Sequence, residues 1–275
     1  MIIDSHQHFW TYHPTTHAWI DSSMSAIARD FKPTDLEKVY EKTEIHGCVA
    51  VQASQTEQES IMLLHYAQQY DIIKGVVGWL DLCANDLKDK LEHYSQNDFF
   101  KGLRHIVQHE EDDFFMLRDD FQQGISQLKK FDLTYDILIY PKQFEAANEL
   151  TQNFSDQYFV LDHLGKPQYN LPIDVHWAEQ IERLADQPKV YCKLSGIFTE
   201  IQTKPWQIDQ ITPYLDHVVR CFGMDRLLFG SDWPVCLLAS NFNDHLDLLK
   251  SYFSLSDQKD IEKVFSANCI HFYDL

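Results

Sequence analysis

The chain opens with the sequence MIIDSHQHFW (residues 1–10), in which a short apolar run leads directly into His6 and His8. Residues i and i+2 of an extended strand point to the same side, so the two imidazoles would project together. Such a pair can share one metal ion or one substrate group. A His-x-His pair also occurs without function on exposed loops, so its meaning depends on the rest of the chain.

Seven further short runs rich in Val, Ile, Leu and aromatic residues follow along the chain. They are almost continuously apolar, which is typical of parallel strands covered on both faces. The stretches between them have apolar residues at helical spacing. The predicted strands are residues 2–4, 46–53, 73–80, 101–107, 134–140, 158–162, 190–195 and 226–231. The predicted helices are residues 34–43, 57–70, 86–96, 118–131, 142–152, 175–186, 207–222, 243–253 and 257–266.

This alternation of strands and helices predicts an α/β fold, a single (β/α)8 TIM barrel. Barrels of about 250 residues form one domain, and residues 1–275 contain no segment that resembles a linker or an internal repeat. We therefore expect one domain over residues 1–275. An open doubly wound sheet is the alternative fold, but the Gly-x-Gly-x-x-Gly and Walker loops that would support it are missing from the sequence.

The charge balance is strongly acidic, with 23 Lys and Arg against 42 Asp and Glu and a formal net charge of −19. Nucleic-acid binding is excluded, because it requires concentrated basic residues. Membrane insertion is not expected either, since apolar runs fall short of the ~18 residues that a spanning helix needs. The six cysteines are scattered, as is typical of free intracellular thiols. These features predict a soluble, cytoplasmic protein.

Polar and ionisable residues follow the predicted strands, where a barrel collects its catalytic groups. Because the two ends of the sequence meet only if the sheet closes on itself, a barrel would bring His6 and His8 together with residues from the last strand. The remaining strand-end residues are Gln52, Gln55, Trp79, Asp81, Arg104, His105, Gln108, Asp162, His163, Ser231, Asp232 and Trp233.

Asp232 is the residue that we expect to act as general base toward water. A free Asp with a pKa near 3.9 is a weak base, and a metal ion would help by lowering the pKa of bound water from 15.7 to about 7. The alternative is that Asp232 caps the next helix or pairs with an arginine. His163 precedes a turn, and a structural, hydrogen-bonded role is its alternative.

Arg104 is a fixed cation whose forked donors suit a carboxylate or a developing oxyanion. A salt bridge to Asp81 is the alternative. His105 would point to the opposite face of the same strand, so we assign Arg104 to the barrel interior.

A second group of residues would supply hydrogen bonds and aromatic surface of the kind that binds polyols and sugars, although each of them also has a structural interpretation. These candidate substrate-binding residues are Gln52, Gln55, Trp79, Gln108, Lys166 and Trp233. Trp10, Tyr12 and Trp19 are further aromatic candidates, with burial in the core as the alternative. His109 lies in the acidic stretch HEEDD (109–113), which predicts an exposed loop without a catalytic role.

The chain resembles the amidohydrolase superfamily, in particular its branch of sugar-lactone hydrolases that includes L-fuconolactonases and L-rhamnonolactonases. The blocks that carry the resemblance are DSHQHFW (4–10), RDFKPTDL (29–36), GCVAVQASQTEQE (47–59), GVVGWLDL (75–82), KGLRHIVQ (101–108), FVLDHLGKP (159–167), VYCKLSG (190–196) and RLLFGSDWPVCLLA (226–239). The resemblance implies a distorted TIM barrel that hydrolyses a cyclic ester.

By this resemblance, His6 and His8 correspond to the first-strand His-x-His of the superfamily. His163 corresponds to its sixth-strand His, and Asp232 to its proton-transferring Asp. Arg104 corresponds to a fourth-strand Arg of the lactonase branch. The fifth run contains no His, and Arg104 stands where members with two metals often carry a Lys or Glu, so a two-metal site is not expected.

The resemblance therefore implies a small-molecule lactone of the L-fucono or L-rhamnono type as substrate. It implies at most one divalent ion, with zinc favoured, on His6, His8 and Asp232, and with His163 as a further ligand candidate. Members of the branch differ over whether a metal is needed, and catalysis by the imidazoles, Arg104 and Asp232 alone is the alternative. The other functions considered are hydrolysis of a 2-pyrone-4,6-dicarboxylate lactone, decarboxylation, and non-catalytic binding of a sugar acid or metal.

Overall fold

The computed structural model describes residues 1–169, 172–201 and 207–275. All eight predicted strands are present and form one parallel sheet in the order β1 to β8. The strands are β1 Ile2–Gln7, β2 Ile45–Val51, β3 Ile73–Gly78, β4 Phe100–His105, β5 Thr134–Ile137, β6 Phe159–Leu161, β7 Val190–Leu194 and β8 Leu227–Phe229. The prediction of a TIM barrel is confirmed.

Helices lie between consecutive strands and after the last strand, and they pack their apolar sides against the sheet. They are α1 Pro33–Tyr40, α2 Glu57–Gln69, α3 Leu87–Tyr94, α4 Asp119–Leu128, α5 Phe144–Asn153, α6 Val175–Ala185, α7 Ile208–Phe222, α8 Phe242–Tyr252, α9 Gln258–Glu262 and α10 Asn268–Tyr273. The last predicted helix, 257–266, is only partly α-helical, because a π-helical turn, Lys263–Ala267, follows α9 and leads into α10.

The barrel closes between β1 and the segment that follows β8. Gln7 and Trp233 form a parallel bridge. The amide of Asp232 donates to the carbonyl of His6 at 2.8 Å, and the amide of His8 donates to the carbonyl of Trp233 at 2.7 Å. These bonds hold both ends of the chain at one edge of the barrel mouth.

The amino-terminal end of the barrel interior is filled with apolar side chains and covered by α10. This layer consists of Ile3, Val49, Val51, Val77, Val160, Tyr191 and Leu228 from the strands with Cys269, Phe272 and Tyr273 from the C-terminal segment. The interior is therefore a packed core, and only its carboxyl end is available for a binding site.

Within the described residues, no helix is long and apolar enough to cross a membrane.

Candidate active site

Three imidazoles and one carboxylate meet at the carboxyl end of the barrel. The rings of His6 and His8 lie 4.9 Å apart, and the rings of His6 and His163 lie 4.5 Å apart. Asp232 Oδ1 lies 3.4 Å from His8 Nε2 and 3.8 Å from His6 Nε2. The structure thus brings together the four residues that the sequence selected from strands 1, 6 and 8.

A buried carboxylate, Asp4, holds the two strands that carry His6 and Asp232. Asp4 Oδ1 accepts hydrogen bonds from the amides of His6, at 3.1 Å, and Ser231, at 2.8 Å. Asp4 Oδ2 accepts a third from the hydroxyl of Tyr40 at 3.0 Å. Burial raises the pKa of Asp4 to about 6, although these hydrogen bonds act in the opposite direction.

Two of the site residues have a left-handed backbone conformation that residues other than glycine rarely adopt. The φ angles are +55° at His163 and +57° at Asp232. Such conformations cost of order 1–3 kcal/mol and are retained where the surrounding structure enforces them. Two hydrogen bonds provide that enforcement at Asp232, because they determine the direction of the turn. The amide of Asp232 donates to the carbonyl of His6, and the amide of Trp233 donates to Ser231 Oγ.

The ring of His163 is oriented by the end of β7. His163 Nδ1 and Ser195 Oγ lie 2.9 Å apart. The next residue, Gly196, has a φ of +63°, and a Cβ at that position would lie 2.6 Å from His163 Nδ1. A glycine is therefore required here both by the backbone and by the space that the imidazole occupies.

Arg104 points into the barrel interior, as predicted, and its acidic partner is Asp162 rather than Asp81. Nη1 lies 2.9 Å from Asp162 Oδ2 and 3.2 Å from His6 Nε2. Nη2 donates to the backbone carbonyl and the side-chain oxygen of Gln52. The neighbouring His105 faces the other way, where its ring stacks on Phe115 with a centroid separation of 4.9 Å. The guanidinium is thus held rigidly beside the imidazoles.

Beneath His6 lies a buried ionic network that the sequence analysis missed. Lys193 Nζ contacts Asp136, lies 3.1 Å from Asp162 Oδ1 and lies 3.2 Å from His6 Nδ1. The Tyr273 hydroxyl donates to Asp136 at 2.9 Å. Lys193 and both aspartates are completely buried. The sequence does contain a signal of this network, because Lys193 interrupts the apolar run VYCKLS (190–195) and Asp136 interrupts the apolar run TYDILIY (134–140).

Electrostatics keep the imidazoles of His6 and His163 neutral and the adjacent carboxylates of Asp162 and Asp232 ionised. Burial lowers the pKa of His163 to about 4 and holds the pKa of His6 well below its usual range. Burial alone would raise the pKa of Asp232, but its contacts with His163, His8 and His6 outweigh that effect and lower it. The pKa of Asp162 is also lowered, because the effects of Lys193, His6 and Arg104 outweigh that of its burial. At neutral pH the His6 and His163 rings are therefore neutral and lie next to the ionised Asp232 carboxylate.

His6, His8 and Asp232 fit a metal ion. One ligand atom from each lies within 4.8 Å of the others. His8 Nδ1 lies 2.7 Å from the carbonyl of Val51, and His6 Nδ1 lies 3.2 Å from Asp162 Oδ1. Such outer contacts orient metal-binding imidazoles. His8 Nε2 faces Asp232 Oδ1 at 3.4 Å, whereas His6 Nε2 is also in contact with Arg104 Nη1 at 3.2 Å. His6, Asp162 and His163 form a second, overlapping group.

A third group of potential metal ligands lies on α6 and α7, and unlike the first two it has an arginine of the same helix pair beside it. Glu182, His217 and Cys221 are close enough to hold an ion. However, Arg220 Nη2 lies 2.7 Å from His217 Nδ1 and 3.6 Å from Glu182 Oε1, so a guanidinium already neutralises this cluster.

A cavity of about 280 Å³ opens above the site. This is near the lower end of the range of about 300–1,000 Å³ for small-molecule pockets, and suits a ligand of monosaccharide size. The cavity is lined by His8, Arg104, His163 and Asp232, by the polar residues Gln108, His109, Tyr140, Lys166, Thr199 and Glu200, and by the apolar residues Trp19, Met24, Ala53, Ile106, Leu138, Val235 and Leu238.

Two of the six predicted substrate-binding residues, Gln108 and Lys166, line this cavity. Trp19 also lines it, and so does His109, to which the sequence analysis gave no role. His109 is the last residue of a 3-10 turn, Val107–His109, that comes shortly after β4 and brings this part of the loop to the site. The acidic residues next to His109 had predicted an exposed loop, and this is why the sequence analysis did not place His109 at the site.

The other four predicted substrate-binding residues make structural contacts. Gln52 Nε2 donates to the carbonyl of Arg104 at 3.1 Å, and Gln55 Oε1 accepts from the amide of Ile106 at 2.7 Å. Trp79 Nε1 lies 3.4 Å from the His105 ring nitrogen. Trp233 is buried against Phe9 and Phe31. These side chains support the site residues and are not among the described residues that line the cavity.

The family model described as Amidohydrolase matches residues 3–275. The chain belongs to the amidohydrolase family. This amidohydrolase is similar to the L-fucono-1,5-lactonase of Burkholderia ambifaria, with 32% identity over 275 residues that cover 98% of this chain and 94% of the relative. It is also similar to the L-fucono-1,5-lactonase of Burkholderia multivorans, with 34% identity over 260 residues that cover 91% of this chain and 88% of the relative.

A solved structure supports the same assignment. The crystal structure of an amidohydrolase from Burkholderia multivorans with bound Zn superposes with a TM-score of 0.96 at 32% identity, over 100% of this chain and 99% of that chain. The predicted family and fold are therefore confirmed, and a metal ion fits both the family and the ligand set of this amidohydrolase.

Proposed function

We propose that this amidohydrolase opens the ring of a sugar-acid lactone of the L-fucono or L-rhamnono type. One observation carries the proposal: several catalytic groups meet beside a cavity of monosaccharide size. These groups are the Asp232 carboxylate, the imidazoles of His6, His8 and His163, and the guanidinium of Arg104. The similarity to two L-fucono-1,5-lactonases supports the choice of substrate class.

In the proposed reaction Asp232 accepts a proton from water while the water oxygen attacks the lactone carbonyl. Asp232 then returns the proton to the ring oxygen as the carbon–oxygen bond breaks, and the product is the open hydroxy acid. The lowered pKa keeps Asp232 in its ionised, proton-accepting form but also makes it a weak base, which a bound ion would offset by lowering the pKa of the attacking water. Arg104 and the imidazole N–H groups stabilise the negative charge that develops on the carbonyl oxygen.

A divalent ion is part of the proposal, with His6, His8 and Asp232 as its ligands and His163 as a further candidate. Two imidazoles and a carboxylate are ligands that zinc accepts. When bound, such an ion would polarise the lactone carbonyl or lower the pKa of a water molecule. Asp162 and the carbonyl of Val51 would orient the two ligand imidazoles.

The charges in the cavity favour a neutral lactone over 2-pyrone-4,6-dicarboxylate. Arg104 is paired with Asp162, and Lys166 Nζ lies 3.0 Å from Glu200 Oε1. Both cations that a dianionic substrate would need are therefore already neutralised. A polyhydroxylated lactone needs only hydrogen-bonding groups, and Gln108, His109 and Tyr140 offer them.

A panel of lactones assayed before and after chelation tests the proposal. The panel contains L-fucono-1,5-lactone, L-rhamnono-1,4-lactone and 2-pyrone-4,6-dicarboxylate, and the metal content of each preparation is measured by mass spectrometry. Spontaneous hydrolysis is subtracted. We expect kcat/KM above about 10⁴ M⁻¹s⁻¹ for one of the sugar lactones, as is usual for enzymes acting on their own substrates.

Faster hydrolysis of the dicarboxylate, release of carbon dioxide from an aromatic acid, or binding of lactones without turnover would each contradict the proposal. Loss of activity on chelation, with recovery on addition of zinc, is the result expected if the metal is required.

A further inference from the structure

Lys166 and Glu200 form an ion pair in the cavity lining. Their charged atoms lie 3.0 Å apart, and the side chains are 13% and 23% exposed. Lys166 Nζ also lies 5.2 Å from the centroid of the Tyr140 ring, a distance at which an aromatic face attracts a cation. The ammonium is thus held between a carboxylate and an aromatic ring, within the cavity rather than at the outer surface.

The backbone places both residues next to the catalytic groups. Lys166 lies three residues after His163 in a left-handed conformation, and its amide donates to the carbonyl of His163 at 2.8 Å. Glu200 ends a 3-10 turn that follows β7, and Thr199 Oγ1 donates to the carbonyl of Gly196 at 2.8 Å. The ion pair therefore joins the two loops that position the His163 ring.

Without the proposed divalent ion, the formal charges of the described lining residues cancel. Arg104 and Lys166 contribute two positive charges, and Asp232 and Glu200 contribute two negative ones. Arg104 is further paired with Asp162 behind the cavity at 2.9 Å. A ligand carboxylate entering this cavity would meet two carboxylates and no unpaired arginine or lysine among the described lining residues. Like charges brought together out of water repel strongly.

We propose that Glu200 is a specificity-determining residue that excludes lactones carrying a free carboxylate. Its carboxylate neutralises Lys166, so the ammonium is not available to a ligand anion, and its own charge repels that anion. Uncharged polyhydroxy lactones are unaffected by this selection. The inference rests on the proposed function, since it concerns which lactones the same cavity accepts.

The test compares two lactones that differ at one position. D-Glucono-1,4-lactone has a hydroxymethyl group where D-glucaro-1,4-lactone has a carboxylate. For each protein we would measure the ratio of their kcat/KM values, or of their Kd values by titration calorimetry where a lactone is not turned over. The variants are Glu200→Gln, Lys166→Gln and the double variant. The control is Glu44→Gln, which removes the same charge from an exposed residue paired with Lys250.

We expect Glu200→Gln to shift the ratio toward the carboxylate-bearing lactone by about tenfold or more, because the substitution removes one close like charge and releases one cation, and both changes favour an anionic ligand. The double variant should keep only the part of this gain that comes from removal of the Glu200 charge, because the freed ammonium is gone. Glu44→Gln should keep the wild-type ratio.

The proposal would be overturned if Glu200→Gln had the wild-type ratio of kcat/KM or Kd values for the two lactones. It would also be overturned if neither lactone bound to this variant. A full gain in the double variant would also overturn it, because Lys166 would then have no part in the selection. Hydrolysis of L-fucono-1,5-lactone by the same wild-type preparation separates the two claims. Its absence would contradict the proposed function, while the binding ratio would still decide the role of Glu200.

Discussion

Replacing Lys193 by Met should strongly destabilise the protein. Met is similar in length and would keep the packing of the alkyl chain, so the change removes mainly the ammonium. That ammonium contacts Asp136 and lies 3.1 Å from Asp162 Oδ1, and all three side chains are fully buried. Breaking a buried ion pair by removing one partner costs about 3–5 kcal/mol, because the remaining charge is left uncompensated.

The expected loss corresponds to a decrease in Tm of roughly 6–20 °C, at about 2–4 °C per kcal/mol for a protein of this size. The loss should also depend on pH. Burial raises the pKa of Asp136 to about 6 even though Lys193 acts to lower it, so without Lys193 the pKa would be higher still. Protonation of Asp136 then relieves the penalty, and the difference in Tm from wild type should be smaller at pH 5.5 than at pH 8.

Differential scanning calorimetry at the two pH values measures this effect. Lys38→Met is the control, because Lys38 is 71% exposed and its nearest carboxylate oxygen, on Asp35, lies 3.7 Å away. This control should unfold at the wild-type temperature. A Tm for Lys193→Met within about 2 °C of the wild-type Tm at pH 8 would correspond to a loss of about 1 kcal/mol or less. That result would contradict the energetic role assigned to the buried ionic network.

Two further predictions concern the residues around the site. Gly196→Ala should lower kcat by about 100-fold, because its Cβ would lie 2.6 Å from His163 Nδ1 and displace the ring. Gly223→Ala, also at a φ of +63° but with open space around its Cβ, is the control and should lose stability without losing kcat; equal effects of both variants on kcat would contradict the reasoning. Glu59→Gln should gain stability relative to wild type as the pH rises from 4.5 to 7. Burial raises the pKa of Glu59 from 4.5 to about 7, so the wild type loses about 3 kcal/mol of stability over this range. Urea unfolding at both pH values measures the difference, and a difference that does not change with pH would contradict the assignment.

The barrel was predictable because its strands are buried on both faces and are therefore read as apolar runs. β6 and β8 are shorter than their predicted runs, 158–162 and 226–231, for a functional reason. The chain leaves the sheet at Asp162 and after Phe229 to present His163 and Asp232 from turns, and residue type does not reveal such positive φ angles.

The side chains that carry out the proposed chemistry were also predictable, since each follows a strand at the carboxyl end of the barrel. Their supporting partners were not. Gln52 and Trp79 have the composition of a sugar-binding site, yet tertiary contacts with Arg104 and His105 account for them. Asp136 lies in β5 and Lys193 in β7, 57 residues apart in the sequence and separated by β6 in the sheet, so their pairing becomes visible only in the folded barrel.

The proposed role of Asp232 is tested most directly by the kcat of Asp232→Asn on L-fucono-1,5-lactone. The metal content of both proteins is measured on the same preparations, and Asp225→Asn, at an exposed carboxylate paired with Lys263, is the control. Loss of a general base lowers kcat by about 10²–10⁴-fold, and we expect a decrease in this range for Asp232→Asn with no change for Asp225→Asn. A kcat near that of the wild type in Asp232→Asn would contradict the account.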